Sequence, residues 1–478
     1  MELKTNYQYT YFIHPFVVAE NKYQKYILSL IKDKRFTLKV FQKNKDIDLY
    51  SYFSPKTREY LFSSFSHSGA KLEKLEELPE DTKSAILSKY PCTIFEYKLK
   101  EDIQGKAEEK GIFFKVRKIE IICFNSGICF FTMKTNIEES NSFSDVLNFN
   151  YKFREINQEN ILNSYDKIYL QTNTFDDVNK LTEFIKGITG SDLETMKLDI
   201  DTQKFLTYSY VCIDREAWNS NKNFEDIKYN FNKYANFLPA DNSTDLDQNE
   251  AKQFSEWKYA KFGFTKQGVV LFTSSSDINN FTDLPDKFEN EYFYTYILNL
   301  YKKIYLKKLE VEFKKTSNLK KTRKKFIEFT RNIWILDVTE DEVGSKINYI
   351  LGKTFELDRL YIEIKTKYDV LYKESNIEKL NSIIRKCEDK IIEIKDIIKD
   401  FDYSDKKTYE ELTSKVENDL KELENIKNVN KINKIIDEIN KIYRNAYNKK
   451  NNVSSLSYIM ETDENIDLIK KIDIENLE

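Results

Sequence analysis

Tyr52, Lys56, Arg58 and Tyr60 fall within one run, Leu49-Tyr50-Ser51-Tyr52-Phe53-Ser54-Pro55-Lys56-Thr57-Arg58-Glu59-Tyr60-Leu61-Phe62, that combines rings, cations and hydroxyls. Rings can stack a nucleobase, and a guanidinium can pair with a phosphate or carboxylate, so the run is a candidate ligand pocket. Asp46 and Asp48 lie just upstream and make the neighbourhood a dense polar cluster among aromatics. The same spacing equally describes a helix that buries its aromatic face while its charges stay in water.

A second candidate is cationic. From Lys302 to Lys325 the chain places eleven Lys and Arg against Glu310 and Glu312 alone. Lys307, Lys308, Lys314, Lys315, Lys320, Lys321, Arg323, Lys324 and Lys325 form a patch able to neutralise phosphates of nucleic acid, of a nucleotide or of anionic lipid headgroups. Ile304, Tyr305, Leu306, Leu309, Val311 and Phe313 alternate with them. That alternation predicts an amphipathic helix over 302–325 whose basic face is solvated, and lysine lacks the bidentate fork of arginine. Lysine is abundant along the whole chain, as in proteins of AT-rich genomes, which dilutes the signal.

Metal and nucleophile chemistry have little to work with. Only His14 and His67 occur, and neither lies in a spacing that aims two ligands at one ion. His14, in Tyr11-Phe12-Ile13-His14-Pro15-Phe16, reads as a hydrogen-bonded structural residue, and His67 as a loop residue. Cys92, Cys123, Cys129, Cys212 and Cys387 form no CxxC pair, and an odd count suits a reducing compartment. GxxxxGK[ST], GxGxxG and GxSxG are absent, no cofactor is evident, and the residues point to no particular reaction.

These groups must be positioned by two kinds of architecture. Before Pro285, period-two and continuous apolar runs alternate with helical patterns, predicting an α+β or α/β domain over 1–285. Tyr7 to Val18 is the first predicted strand, Tyr23 to Ile31 a helix, and Phe36 to Phe41 a strand. Ile112–Phe124 and Ile128–Met133 form a hairpin across Asn125-Ser126-Gly127, where Asn and Gly accept positive φ. A second hairpin joins Trp257–Phe262 to Val269–Phe272 through a loop holding Gly263 and Gly268. Between the hairpins come a strand over Lys167–Leu170, a helix over Val178–Ile185, a strand over Phe205–Ile213 and an exposed loop over Asp241–Gln248.

From Asp286 onward there is no proline, and the C-terminal stretch also lacks glycine, so long helices are expected over 286–450. Ile377, Leu380, Ile384, Cys387, Ile391, Ile394, Ile398 and Phe401 keep a 3-4 spacing that holds one apolar seam in line. After a turn at Asp402–Asp405, Thr408-Tyr409-Glu410-Glu411 matches a capping box, and Val429, Ile432, Ile436, Ile439, Tyr443 and Ala446 continue a second seam. The simplest arrangement is an antiparallel coiled-coil hairpin, with Cys387 a small seam residue and 451–478 a polar tail.

The whole comprises 478 residues, 40% hydrophobic, with a net charge of -3. That length allows two or three domains, and 34 Phe with 32 Tyr exclude a chain disordered throughout. No stretch approaches the roughly 20 apolar residues of a membrane-crossing helix, and the N-terminus lacks a signal-peptide layout. The chain reads as soluble and cytoplasmic, with any membrane association coming through a partner.

Phe262-Gly263-Phe264-Thr265-Lys266-Gln267-Gly268-Val269-Val270, leading to Phe288-Glu289-Asn290-Glu291-Tyr292-Phe293-Tyr294-Thr295-Tyr296-Ile297-Leu298-Asn299-Leu300, resembles divergent CorA-like proteins of bacterial defence loci. The order of parts, an α/β domain before a helical stalk, is similar to the cytoplasmic portion of CorA-like proteins. Some such proteins accompany type III CRISPR systems, and the resemblance implies an effector gated by a nucleotide second messenger, homo-oligomeric or partnered through its helices. The paired membrane helices and Gly-Met-Asn motif of CorA-like channels are missing, so ion conduction is not implied. Two alternatives stand beside this reading: a coiled-coil scaffold, and a nucleic-acid-binding protein using the basic segment 302–325.

Overall fold

The computed structural model describes residues 3–66, 75, 77–99, 103–107, 112–137, 140–154, 168–172, 175–190, 205–215, 224–241, 251–314, 319–334, 337–423, 429–450 and 469. The chain is mixed α+β and divides into two compact units, 1–364 and 365–478.

Twelve strands form the sheet of the first unit: β1 (Thr5–Val17), β2 (Phe36–Leu38), β3 (Cys92–Tyr97), β4 (Ile103–Ala107), β5 (Ile112–Phe124), β6 (Ile128–Ile137), β7 (Ile168–Thr172), β8 (Phe175–Lys180), β9 (Leu206–Ile213), β10 (Lys252–Phe254), β11 (Ala260–Thr265) and β12 (Gly268–Ser274). The order is β10-β11-β12-β9-β1-β6-β5-β4-β7-β8, with β3 pairing β5 and β2 pairing β3. Only the β12–β9 pair is parallel among the described strands. β5 is long enough to take β3 along its C-terminal half and β4 along its N-terminal half.

The helices are α1 (Tyr23–Lys32), α2 (Ile47–Tyr52), α3 (Pro55–Leu61), α4 (Glu80–Leu87), α5 (Phe143–Phe153), α6 (Leu181–Thr189), α7 (Phe224–Ala235), α8 (Asp283–Lys287), α9 (Phe293–Phe313), α10 (Leu319–Asn332), α11 (Glu342–Thr354), α12 (Leu357–Ile397), α13 (Tyr403–Lys421) and α14 (Val429–Lys450). The two units meet in sequence within α12. Among the described residues no helix is long and apolar enough to cross a membrane.

Both faces of the central strands are covered, so β1, β6 and β9 are buried along nearly their whole length, their polar residues included. One face carries Phe12, Phe16, Ile121, Phe131, Val211 and Phe272 against α1, α5 and α7. The other is lined by Tyr9, Tyr11, Phe124, Tyr208 and Tyr210, whose rings meet Phe288, Phe293, Tyr296 and Tyr301. A π-helical turn, Phe288–Tyr292, leads into α9 there. Two sheet tyrosines add hydrogen bonds to backbone carbonyls at this junction. Tyr9 donates to the Pro285 carbonyl and Tyr208 to the Phe288 carbonyl, each at 2.7 Å.

Several expected elements shift. Residues 178–180 end β8 rather than opening a helix, and Gly263 lies inside β11, with Lys266 and Gln267 making the turn. Composition changes near 285, where helices take over from strands, yet the compact unit runs on to 364 because α9 is buried almost all round against the sheet. His67 and 242–248 of the predicted loop lie outside the described residues.

The second unit has its own core, in which Leu380, Cys387, Ile391, Ile394 and Ile398 of α12 and its 3-10 end meet Val416 and Leu420 of α13 and Ile432, Ile436 and Ile439 of α14. The expected two-helix hairpin is therefore three helices. α13 starts at Tyr403, so Thr408 lies inside it, donating to the Ser404 carbonyl instead of capping. Burial pushes the Cys387 thiol up to about 11. Of the expected tail only Ile469 is described, exchanging two hydrogen bonds with the Asn440 side chain.

Candidate functional site

A cleft of about 800 Å3 opens where α3, the β5–β6 turn, α9 and α10 converge. Pro55 at the first position of α3 suits a helix start, and the following turns present Lys56, Glu59 and Tyr60. Gly127, with φ of +82°, turns β5 into β6 and leaves Asn125 and Ser126 on the cleft wall. α9 contributes Tyr301 and Tyr305, and α10 contributes Lys321, Lys324, Lys325, Glu328 and Arg331. Glu20 enters from the single 3-10 turn, Glu20–Lys22, before α1.

The floor is a fixed chain of hydrogen bonds. Tyr60 donates to the Tyr301 hydroxyl at 2.9 Å, and Tyr301 donates to Ser126 Oγ at 3.2 Å. Lys308 Nζ donates to the Ser126 carbonyl at 2.6 Å. Tyr305 stacks on Phe329 of α10 with centroids 5.0 Å apart.

Charge on the walls is unevenly balanced. Glu20 meets Lys321 at 2.9 Å, forms a short contact with Lys325 and lies 3.8 Å from Lys308. Burial alone would raise its carboxyl, but hydrogen bonds from Lys325 and Lys321 pull it down to about 2. Lys325 is also held by both Glu312 oxygens at 2.9 Å, and Lys324 is 4.0 Å from Glu328. Lys56 and Arg331 are exposed, and neither has a carboxylate partner among the described residues. Five cations and three carboxylates line the cleft, so its net charge is positive.

Of the first candidate group, Lys56 and Tyr60 line this cleft, whereas Tyr52 and Arg58 do not. The buried Tyr52 hydroxyl shares a hydrogen bond with Thr295 at 3.1 Å. Arg58 donates to the carbonyls of Tyr50 and Phe53 and lies 4.1 Å above the Tyr50 ring, so it closes the end of α2.

The basic segment is not one helix. α9 ends at Phe313 and α10 begins at Leu319, and the two bring different lysines to the cleft. Lys302 and Lys308 are buried, because α9 is a core helix rather than a surface one. Lys307 is half-buried, Lys314 lies 3.5 Å from Glu310, and Lys320 and Arg323 lie on α10 outside the cleft lining. Lys315 lies outside the described residues. Pattern marks Ser126 only as a turn residue and Tyr305 only as an apolar position of the basic segment, and it does not mark Glu20, Tyr301 or Arg331 as site residues. Arg331 alone left a signal, since it follows Lys324 by seven residues, two turns along the same helix face.

Neither His14 nor any of the five cysteines lines the cleft. His14 Nδ1 is buried without a hydrogen-bond partner, contrary to the expected bonded histidine, and burial lowers the ring to about 4. All five cysteines are free and buried, with Cys123 opposite Cys129 across the β5–β6 hairpin. Among the described residues no three His, Cys, Asp or Glu come together as a metal site. No protein-family model, curated protein or solved structure matches this chain.

Proposed function

We propose that the protein is a ligand-sensing effector or regulatory module whose α+β unit binds a phosphate-bearing small molecule in the cleft between α3 and α10. The observation that carries this is the pair Lys56 and Arg331, two cations with no carboxylate partner among the described residues, lining one cleft beside Tyr60. Its volume of about 800 Å3 lies in the range of small-molecule sites. A nucleotide second messenger is the ligand class that joins this charge to the CorA-like, antiviral-defence resemblance of Phe262–Val270 and Phe288–Leu300. The helical unit, read as coiled-coil-like from its 3-4 seam, would relay occupancy or carry oligomer contacts. Nucleic-acid binding by the basic segment is less well supported, since its lysines are divided between a buried helix and a cleft wall.

The test is a thermal-shift screen of the full chain against mono-, di- and oligonucleotides. A ligand bound only by the folded form raises the melting temperature. Lys56→Gln and Arg331→Gln should each abolish most of that shift while leaving ligand-free melting unchanged. No shift from any nucleotide, or a shift indifferent to both substitutions, overturns the reading.

A further inference from the structure

Glu20 is unusual for a cleft residue. Its side chain, 35% exposed, is reached by lysines of two helices, Lys308 from α9 and Lys321 and Lys325 from α10. Lys325 is already matched by both oxygens of Glu312, so Glu20 is not required to neutralise it. A lone ion pair at a surface contributes little, and three cations gathered on one carboxylate describe the surroundings of a bound anion.

We infer that Glu20 is a resident occupant of the cleft's anion position, displaced only by a ligand carrying two or more negative charges. This rests on the reading of the cleft as an anion site. A monoanion replaces Glu20 charge for charge and must compete with a carboxylate tethered at high effective concentration. A diphosphate or triphosphate group brings surplus charge, which Lys56 and Arg331 are placed to receive. Glu20 returns to water, where its charge is solvated. The exchange also severs the link between the turn preceding α1 and α10, so occupancy becomes a change in how α10 is held.

Calorimetric titration of the full chain at neutral pH with acetate, pyrophosphate and tripolyphosphate tests this. The wild type should bind the two phosphates and not acetate. Glu20→Gln should tighten tripolyphosphate binding about tenfold, the effect of removing one charged hydrogen-bond competitor. Glu328→Gln, which removes an exposed carboxylate of the same cleft, should change it less than about twofold. If Glu20→Gln does not fold, Glu20→Asp, one methylene shorter, should give a smaller tightening. Wild-type binding that Glu20→Gln leaves unchanged or weakens overturns the role of Glu20 while the anion site stands, as does equal tightening by Glu328→Gln. Binding by Glu20→Gln alone makes Glu20 a permanent block and overturns its displacement by polyanions while the anion site stands. No phosphate binding by either protein overturns the anion site itself and the inference with it.

Discussion

The ring of Tyr301 lies on that of Phe124, with centroids 3.8 Å apart and planes 10° from parallel. Phe124 is the last residue of β5, and Tyr301 sits in the middle of α9. The stack therefore fixes the height of α9 over the β5–β6 turn, and the Tyr301 hydroxyl then reaches Ser126 in that turn. The cleft floor is thus an extension of the core, built from residues whose first task is packing.

Two substitutions separate the packing from the polar part. Tyr301→Phe keeps the stack and removes the bonds to Tyr60 and Ser126, which should cost about 1 kcal/mol. Tyr301→Ala removes a fully buried ring and should cost about 3–5 kcal/mol. Urea unfolding followed by far-UV circular dichroism reads both, and equal losses would contradict the assignment of the floor to packing first.

Gly127 offers a backbone test. Its φ of +82° is one that side chains disfavour, and a Cβ there would lie 2.2 Å from the Val18 carbonyl oxygen. That oxygen cannot move freely, because the Val18 amide is itself bonded to the Gly127 carbonyl at 2.7 Å. Gly127→Ala should lose about 2–3 kcal/mol of stability, more than the usual penalty for alanine at a relaxed turn. The same urea experiment measures it.

Local pattern carried much of the fold. The hairpin Ile112–Phe124/Ile128–Met133 was legible because a turn with glycine at positive φ separates two apolar runs, and the structure extends the second strand to Ile137. The seam from Leu380 to Ile398 was legible because a 3-4 spacing has one geometric meaning. Failures came where tertiary context decides. Lys302 and Lys308 read as surface residues, yet Lys302 is buried beside the Trp334 ring and Lys308 against the Ser126 carbonyl of the β5–β6 turn, and no sequence rule announces either contact. Arg58 and Tyr52 have the right chemistry for a ligand and spend it on Tyr50, Phe53 and Thr295. Glu20 could not be found locally at all, since its meaning comes from lysines about three hundred residues away.

Lys302 makes burial measurable. It is 4% exposed, its ammonium lies 5.9 Å from the Trp334 ring centre, and burial pushes its pKa down to about 8. The folded form therefore releases this proton before the unfolded chain does, so the contribution of Lys302 to stability rises as pH climbs from about 8 toward the ordinary lysine range. Lys302→Met should stabilise the protein by about 2 kcal/mol at neutral pH, with the gain shrinking above pH 8. Denaturant titrations across that range check the sign, and a gain that does not depend on pH would refute it.

Glu291 predicts the opposite slope in a lower window. It is 7% exposed, and burial raises its carboxyl to about 7, opposed by Lys287 and reinforced by Asp341 and Asp48. Because the folded-state pKa lies above the unfolded one, the unfolded chain loses the proton first, and the stability linked to Glu291 falls as pH rises from the usual glutamate range through about 7. Glu20 works in the other direction: held down to about 2, it contributes stability above the usual glutamate range that is lost on acidification. The wild-type curve mixes both, so the informative quantity is the difference between wild type and Glu291→Gln. That difference should be close to zero near pH 4.5 and grow to about 1–2 kcal/mol in favour of glutamine by pH 8, after allowance for solvent screening of a partly open site. A difference that stays flat would place Glu291 in water, and one that favours glutamate at high pH would mean that Lys287 outweighs burial.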